Sequence, residues 1–188
     1  MDLVPVFDLD GTLIDSDAAL VDAFVTLGVE RDAISFGHVL ATECTRLGID
    51  MDAYLAAYDE DQAQPFAGTD ALVSQLGHWA VCSNKHRRSG EVELARLGWK
   101  PDVAMFSESF DGPKRLGPVL TALGRSADEI LFVGDTAHDR LCAAEVGASF
   151  ALAGWNPRAV PGPGDLVLRH PRDVLGVVDG SVRPTATG

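Results

Sequence analysis

The sequence contains few cysteines, few lysines and no long hydrophobic run. The three cysteines (Cys44, Cys82 and Cys142) are far apart and form no Cys-x-x-Cys pair, so neither a disulfide framework nor a zinc site is indicated. No run of about 18 apolar residues is present, and no basic segment precedes an apolar stretch near the N-terminus. The 15 basic residues stand against 28 acidic ones, a net charge of −13, which argues against nucleic acids and anionic membranes as partners. We therefore expect a cytoplasmic protein, and nothing in the sequence indicates its oligomeric state.

The hydrophobic pattern divides the chain into a helical segment and a longer segment of alternating strands and helices. A buried strand begins at Val4 and is followed, with no convincing strand, by three predicted helices, Asp17–Leu27, Ile34–Leu47 and Met51–Gln62. After Pro65 the pattern predicts strands at His78–Cys82, Val103–Phe106, Glu129–Val133, Ser149–Leu152 and Leu166–Leu168. The helices predicted between and after them are Thr69–Leu76, Ser89–Leu97, Leu116–Leu123, Asp139–Val146 and Arg172–Val178.

Alternating strands and helices predict an α/β fold with a doubly wound parallel sheet, covered by helices on both faces. The helical segment is too long for an ordinary connection between two elements. We therefore expect a core formed by residues 1–14 and 66–188, with a small helical cap at residues 15–65 inserted after the first strand.

Two aspartates, Asp8 and Asp10, directly follow the first strand. Carboxylates are rarely buried unless they are paired or bind a cation, so both side chains should lie just beyond the strand end. Side chains two residues apart on an extended chain point to the same side, and two like charges so close together need a metal or a shared proton. An ordinary Asp-Gly turn explains the same residues without any function. Other parts of the chain are therefore needed to distinguish the two explanations.

Three further predicted strands end in polar residues. The first is followed by Ser83-Asn84-Lys85, and the second, after a polar loop, by Gly112-Pro113-Lys114. The third is followed by Gly134-Asp135-Thr136-Ala137-His138-Asp139. The carboxyl ends of parallel strands share one edge of the sheet, so these groups should converge on the first two aspartates. Hard oxygen ligands suit Mg²⁺, and hydroxyl, amide and lysine groups donate to phosphate oxygens. The combination predicts a site for Mg²⁺ and a phosphate.

The four segments, in this order, resemble the motifs of the haloacid dehalogenase (HAD) superfamily. The first is Asp8-Leu9-Asp10-Gly11-Thr12, extended by Leu13-Ile14-Asp15-Ser16, and the others are Ser83-Asn84-Lys85, Lys114 and the segment from Gly134 to Asp139. Each motif is weak alone, but the ordered set with its strand context is specific. The likeness covers residues 4–150 and is greatest to the phosphoglycolate-phosphatase-like branch with a small helical cap. It implies a Rossmann-like core and a phosphatase that acts on a small phosphorylated metabolite.

The resemblance implies a role for each carboxylate of the site. Asp8 would be the nucleophile and form an aspartyl-phosphate, and Asp10 would serve as general acid and then general base. Asp8, the backbone carbonyl of Asp10, and Asp135 would hold Mg²⁺, and Asp139 would assist.

The resemblance also assigns phosphate ligands and supporting residues. Ser83, Asn84 and Lys114 would bind the transferring phosphoryl group. Gly11 would permit the turn, and Thr12 would brace the loop. Only three lysines occur in the chain, and Lys85 and Lys114 both fall in motifs.

Two features of the pattern leave residue roles open. The family often has a proline directly after its motif lysine, whereas Arg115 follows Lys114 here, so Arg115 or Lys85 could share the phosphate role. In the cap, His38 and Arg46 are the candidate contacts for the leaving group, although both are more simply explained as ordinary helix residues.

Two alternative functions use the same residues. A phosphohexomutase-like phosphoryl transfer needs a cap that excludes water and holds a bisphosphate intermediate, which this acidic cap with few basic residues makes less favourable. A non-catalytic phospho-acceptor or binding protein belongs to a different class, and for such a protein a general acid at Asp10 has no use. The sequence does not name the substrate.

Overall fold

A computed structural model describes residues 3–35 and 39–181, in which helices cover both faces of a parallel sheet. The strands are β1 Val4–Phe7, β2 Ile14–Asp15, β3 Gln64–Pro65, β4 Ala80–Cys82, β5 Val103–Met105, β6 Ile130–Gly134, β7 Ser149–Ala153 and β8 Leu166–Leu168. The α-helices are α1 Asp17–Thr26, α2 Leu40–Leu47, α3 Met51–Ala57, α4 Thr69–Val73, α5 Arg87–Leu97, α6 Leu116–Leu123, α7 Ala137–Val146 and α8 Asp173–Val178.

Six of the strands form the main sheet in the order β5-β4-β1-β6-β7-β8, with every pair parallel. The central strand β1 places Val6 opposite Ala80 on one side and Phe132 on the other. Both β1 and β6 are buried along their whole length, as expected for central strands of a sheet covered on both faces. The predicted doubly wound α/β fold is confirmed.

Alternate residues of the central strands pack into two hydrophobic clusters, one on each face of the sheet. Val6 and Phe132 belong to the cluster that contains side chains of α6 and α7. Phe7 and Val133 belong to the cluster that contains side chains of α4, α5 and α8. Both faces of β1 are therefore anchored, which fixes where the strand ends and where the loop beginning at Asp8 emerges.

Helices α1 to α3 have a hydrophobic cluster of their own, built around Phe24, Cys44 and Tyr54. The chain enters and leaves this group of helices through a two-stranded antiparallel ribbon, β2 with β3, in which Ile14 pairs with Pro65. The sequence pattern did not predict the ribbon, because two-residue strands are too short for a period to show. We propose that the ribbon joins the cap, residues 15–65, to the core.

Two predicted cap helices are shorter than expected. The helix predicted from Ile34 begins at Leu40, since Ile34 is extended and the amide of Ser35 donates to the side chain of Glu43 at 2.8 Å. The helix predicted from Met51 to Gln62 ends at Ala57. Tyr58 is extended, and a short 3₁₀ turn, Glu60–Gln62, follows. The Tyr58 hydroxyl donates to Oε1 of Glu93 at 2.8 Å, so at both places the helix boundary is accompanied by a side-chain contact between residues distant in sequence.

The core elements differ from the prediction mainly at their ends. Helix α5 begins at Arg87, two residues before the predicted start, and α7 begins at Ala137 rather than Asp139. Strand β4 begins at Ala80 rather than His78, and α4 ends at Val73 rather than Leu76. Within the described residues, no helix is long and apolar enough to cross a bilayer.

Candidate active site

The predicted site residues meet at the carboxyl edge of the sheet. The amide of Asp8 continues the β1–β6 pairing by donating to the carbonyl of Val133 at 2.9 Å, and that of Ser83 donates to Met105 in the same way. The side chains that follow β1, β4 and β6 then open into a cavity of about 520 Å³ between core and cap. Of the predicted residues, the cavity lining contains Asp8, Asp10, Gly11, Ser83, Asn84, Lys85, Lys114 and Asp135.

Lys114 is a buried cation held between two aspartates. Its Nζ lies 2.7 Å from Oδ2 of Asp8 and 2.6 Å from Oδ1 of Asp139, and its side chain is only 2% exposed. Burial acts to lower the pKa of Lys114, but the charges of Asp139 and Asp8 outweigh burial and raise it. The lysine is therefore charged at neutral pH, and its backbone is fixed as well, because its amide donates to Oδ1 of Asn84 at 2.7 Å.

Three buried aspartates form the acidic centre of the site. Asp8, Asp135 and Asp139 each place a carboxylate oxygen within 4.8 Å of the other two. Burial raises the pKa of Asp8 to about 6 and that of Asp135 to about 7, and neighbouring carboxylates add to both effects. The pKa of Asp139 is lowered, because its contacts with Lys114 and Thr136 outweigh burial. One lysine does not balance three carboxylates, and a divalent cation with oxygen ligands would.

The loop after β1 is shaped around Asp135. Gly11 has a φ of 77°, and a Cβ at this position would overlap the carboxylate of Asp135. Oγ1 of Thr12 donates to Oδ1 of Asp135 at 3.4 Å. Glycine is therefore required at position 11 both by its backbone conformation and by the close approach of Asp135.

Asn156 and Trp155 complete this part of the site, and the sequence pattern did not reveal their contacts. Nδ2 of Asn156 donates to Oδ2 of Asp135 at 2.9 Å and to the carbonyl of Gly11 at 2.8 Å. Nε1 of Trp155 donates to the carbonyl of Thr12 at 2.8 Å. Both residues closely follow β7, so the rule that polar residues gather after parallel strands could also have found Asn156.

Asp10 is held by a second buried network that reaches into the cap. Its Oδ1 accepts from Oγ of Ser16 at 2.5 Å and from Nζ of Lys85 at 2.8 Å. Lys85 also contacts Oε1 of Glu93 at 3.0 Å and the hydroxyl of Tyr58 at 2.8 Å. Lys85 is therefore a buried cation that fixes the carboxylate of Asp10.

Glu93 and Tyr58 were not identified from the sequence. Glu93 is completely buried, its Oε1 accepts from the Tyr58 hydroxyl at 2.8 Å, and burial raises its pKa to about 7. A glutamate in a helix and a tyrosine near the end of another carry no motif, so only the tertiary contact reveals them.

Other predicted residues are placed outside the cavity or outside the described chain. The side chain of Arg115 is 62% exposed and its guanidinium lies 3.7 Å from Glu145, so the suggestion that it shares the phosphate role gains no support. Arg46 contacts Glu43 at 2.6 Å and the carbonyl of Ala33, and Glu43, not Arg46, lines the cavity. His38 lies outside the described residues.

The fold and this site define a class, the doubly wound α/β proteins with an acidic loop after the first strand. Residues 6–153 match the haloacid dehalogenase-like hydrolase family, and the chain belongs to that family. The membership predicted from the four motifs is thereby confirmed.

Two named proteins and one solved structure illustrate the relationship. The chain is 27% identical to a phosphoglycolate phosphatase of Xanthomonas campestris, over 81% of this chain and 83% of that protein. It is 25% identical to the pyrophosphatase PpaX of Halalkalibacterium halodurans, over 92% and 95%. A HAD-superfamily hydrolase from Geobacter sulfurreducens has the same fold, with a TM-score of 0.71 and 22% identity over 94% of this chain and all (100%) of that one.

Proposed function

We propose that the protein is a Mg²⁺-dependent phosphatase that hydrolyses a small phosphate monoester through an aspartyl-phosphate on Asp8, with Asp10 as general acid and base. One observation carries the proposal. The carboxylate of Asp8 lies 2.7 Å from the buried ammonium of Lys114, at a cavity that Asp10, Ser83 and Asn84 also line. A nucleophile, a proton carrier and phosphate donors are thus assembled around one space.

The reaction has two balanced steps. In the first, a carboxylate oxygen of Asp8 attacks phosphorus, the bond from phosphorus to the ester oxygen breaks, and Asp10 gives its proton to the departing alkoxide. In the second, a water molecule attacks the phosphorus of the acyl phosphate and loses a proton to Asp10. The bond between phosphorus and the Asp8 oxygen breaks, phosphate leaves, and the carboxylate of Asp8 is restored. The sum is ester plus water to alcohol plus phosphate.

The residues around Asp8 suit a transferring phosphoryl group. Lys114 supplies a fixed positive charge, and the Ser83 hydroxyl and the Asn84 amide supply hydrogen-bond donors at the same edge. Because these groups are held by the core before substrate binds, they need no rearrangement when charge develops on the phosphoryl oxygens.

Asp8, Asp135 and the backbone carbonyl of Asp10 would hold the Mg²⁺, with Asp139 and Asn156 orienting these ligands. When bound, the ion would neutralise negative charge on the phosphoryl oxygens and on the crowded aspartates. The observation that supports a cation here is the close grouping of three buried carboxylates, Asp8, Asp135 and Asp139, whose oxygens lie within 4.8 Å of one another.

The test is release of inorganic phosphate from p-nitrophenyl phosphate by the purified protein. We expect turnover that requires Mg²⁺, stops with a chelator and is lost in Asp8→Asn. Absence of turnover, or turnover that survives in Asp8→Asn, would contradict the proposal and favour a non-catalytic protein. A phosphohexomutase-like enzyme would convert hexose phosphates with little release of phosphate.

Asp10→Asn gives a sharper test of the two-step scheme. The p-nitrophenolate ion leaves without needing a proton, so the first step should persist while hydrolysis of the acyl phosphate is slowed. We expect a burst of about one p-nitrophenolate per enzyme, followed by slow turnover. Asp8→Asn should give no burst. A burst in both variants would contradict the role of Asp8.

A further inference from the structure

We propose that the alcohol released by this enzyme is uncharged and has an apolar body, and that the cap disfavours anionic leaving groups such as glycolate. The inference rests on the proposed phosphatase function and goes beyond it, because it selects among phosphate monoesters. It also separates this chain from the relatives whose names specify phosphoglycolate or pyrophosphate, since both of those substrates release an anion.

Apolar side chains from both the cap and the core line the cavity. From the cap, the cavity lining includes Leu20, Phe24, Leu40 and Tyr54. From the core, Val160 and Pro161 line the same cavity, and Val160 is 77% exposed. An exposed valine at the mouth of a cleft costs less when an apolar ligand covers it, which is typical of binding-site surfaces.

Among the described residues of the cap, the charged side chains that line the cavity are carboxylates. Glu43 and Asp17 both line it. Glu43 is buried, and hydrogen bonds from Arg46 and Ser35 lower its pKa to about 2, so it is negative at neutral pH. Residues 15–65 as a whole contain eleven acidic residues against two arginines and one histidine. Because Arg46 pairs with Glu43 and Arg158 with Asp17, a carboxylate on the leaving group would add negative charge beside these pairs without gaining a new cation partner from them.

The lysines and arginines of the described cavity lining already have carboxylate partners. Lys114 contacts Asp8 and Asp139, and Lys85 contacts Asp10 and Glu93. The other two are also paired, Arg140 with Asp165 and Arg158 with Asp17. An anionic leaving group would therefore compete with these partners for each of the four cations, whereas an apolar one leaves all four cations with their partners.

A matched pair of substrates tests the inference. Benzyl phosphate and 4-carboxybenzyl phosphate share the same body and differ by one remote charge. With Mg²⁺ present, we expect kcat/KM to be higher for benzyl phosphate by about 100-fold, and phosphoglycolate to be poor as well. Equal kcat/KM values for the two benzyl esters, or a preference for 4-carboxybenzyl phosphate or phosphoglycolate, would overturn the inference and leave the phosphatase proposal standing. No turnover of any ester, p-nitrophenyl phosphate included, would overturn both.

Variants of Val160, at the exposed mouth of the cavity, test whether the lack of an available cation is the reason that anionic leaving groups are disfavoured. Val160→Lys introduces an unpaired cation at a site where folding should be unaffected, and Val160→Met has similar length without charge. For each variant, the ratio of kcat/KM for 4-carboxybenzyl phosphate to kcat/KM for benzyl phosphate is measured. We expect this ratio to be about tenfold higher in Val160→Lys than in Val160→Met. If the two variants show the same ratio, the lack of an available cation is not what rejects anions, and the inference fails.

Discussion

Nζ of Lys85 lies 2.8 Å from Oδ1 of Asp10, and both residues line the cavity. The same nitrogen contacts Glu93 and the hydroxyl of Tyr58, so a residue of the core helix α5 and a residue of the cap meet at the cation that holds Asp10. The position of the proposed acid and base therefore depends on groups that belong to neither the first motif nor its loop.

Removing Lys85 should destabilise the protein and also slow its catalysis. Lys85→Met leaves Glu93 buried without its cation, and breaking a buried pair from one side costs about 3 kcal/mol. We expect a loss of that size in urea unfolding, largely recovered in the double variant with Glu93→Gln, which has no buried charge to pair. Lys100→Met, at an exposed lysine, is the control and should be neutral. A neutral Lys85→Met would show that the network contributes nothing to stability.

Neighbouring cations allow the phosphate role to be assigned. Lys114→Met should reduce kcat by about 100- to 1,000-fold, because the buried ammonium beside Asp8 is lost. Arg115→Met should retain kcat, since the Arg115 side chain is exposed and lies beside Glu145. Steady-state kinetics on p-nitrophenyl phosphate measure both. A comparable loss in Arg115→Met would mean that the arginine shares the phosphate role after all.

The close approach of Gly11 to Asp135 predicts a site-specific effect of one methyl group. Gly11→Ala should abolish most of the activity, because its Cβ would displace the carboxylate of Asp135. Gly124→Ala is the matched control, since Gly124 also has a positive φ, 64°, but open space around it. Backbone strain should cost both variants about 1 kcal/mol of stability, and the clash with Asp135 should add to the loss in Gly11→Ala. Equal activity in the two variants would contradict the steric argument.

The stability of the cap should decrease at low pH, because Glu43 becomes protonated. The folded-state pKa of Glu43 is about 2, below its ordinary value of 4.5, so its contribution is complete above pH 4.5 and is lost as the pH falls towards 2. Because Arg46 is 48% exposed, solvent screening limits this contribution to about 1 kcal/mol. We expect Glu43→Gln to flatten the pH dependence of unfolding between pH 4.5 and 2. An unchanged slope would argue against the pair.

The strand ends show how far the sequence pattern reaches. Parallel strands share one carboxyl edge, so the order of the strands suffices to place together the polar residues that follow β1, β4 and β6. The same reasoning failed for the partners of Lys85, because Glu93 and Tyr58 come from α5 and the cap. It also placed the start of α2 too early, since the contact between Ser35 and Glu43 has no sequence signature.

By itself, the sequence determined the sheet, the inserted helices and the convergence of Asp8, Asp10, Ser83, Lys114 and Asp135, because strand order, hydrophobic period and motif spacing are properties of the chain. The tertiary structure alone decided which carboxylate each cation contacts and which side chains the cap presents to the cavity. Those contacts join residues far apart in sequence, and burial sets their strength. Local patterns carry no information about either.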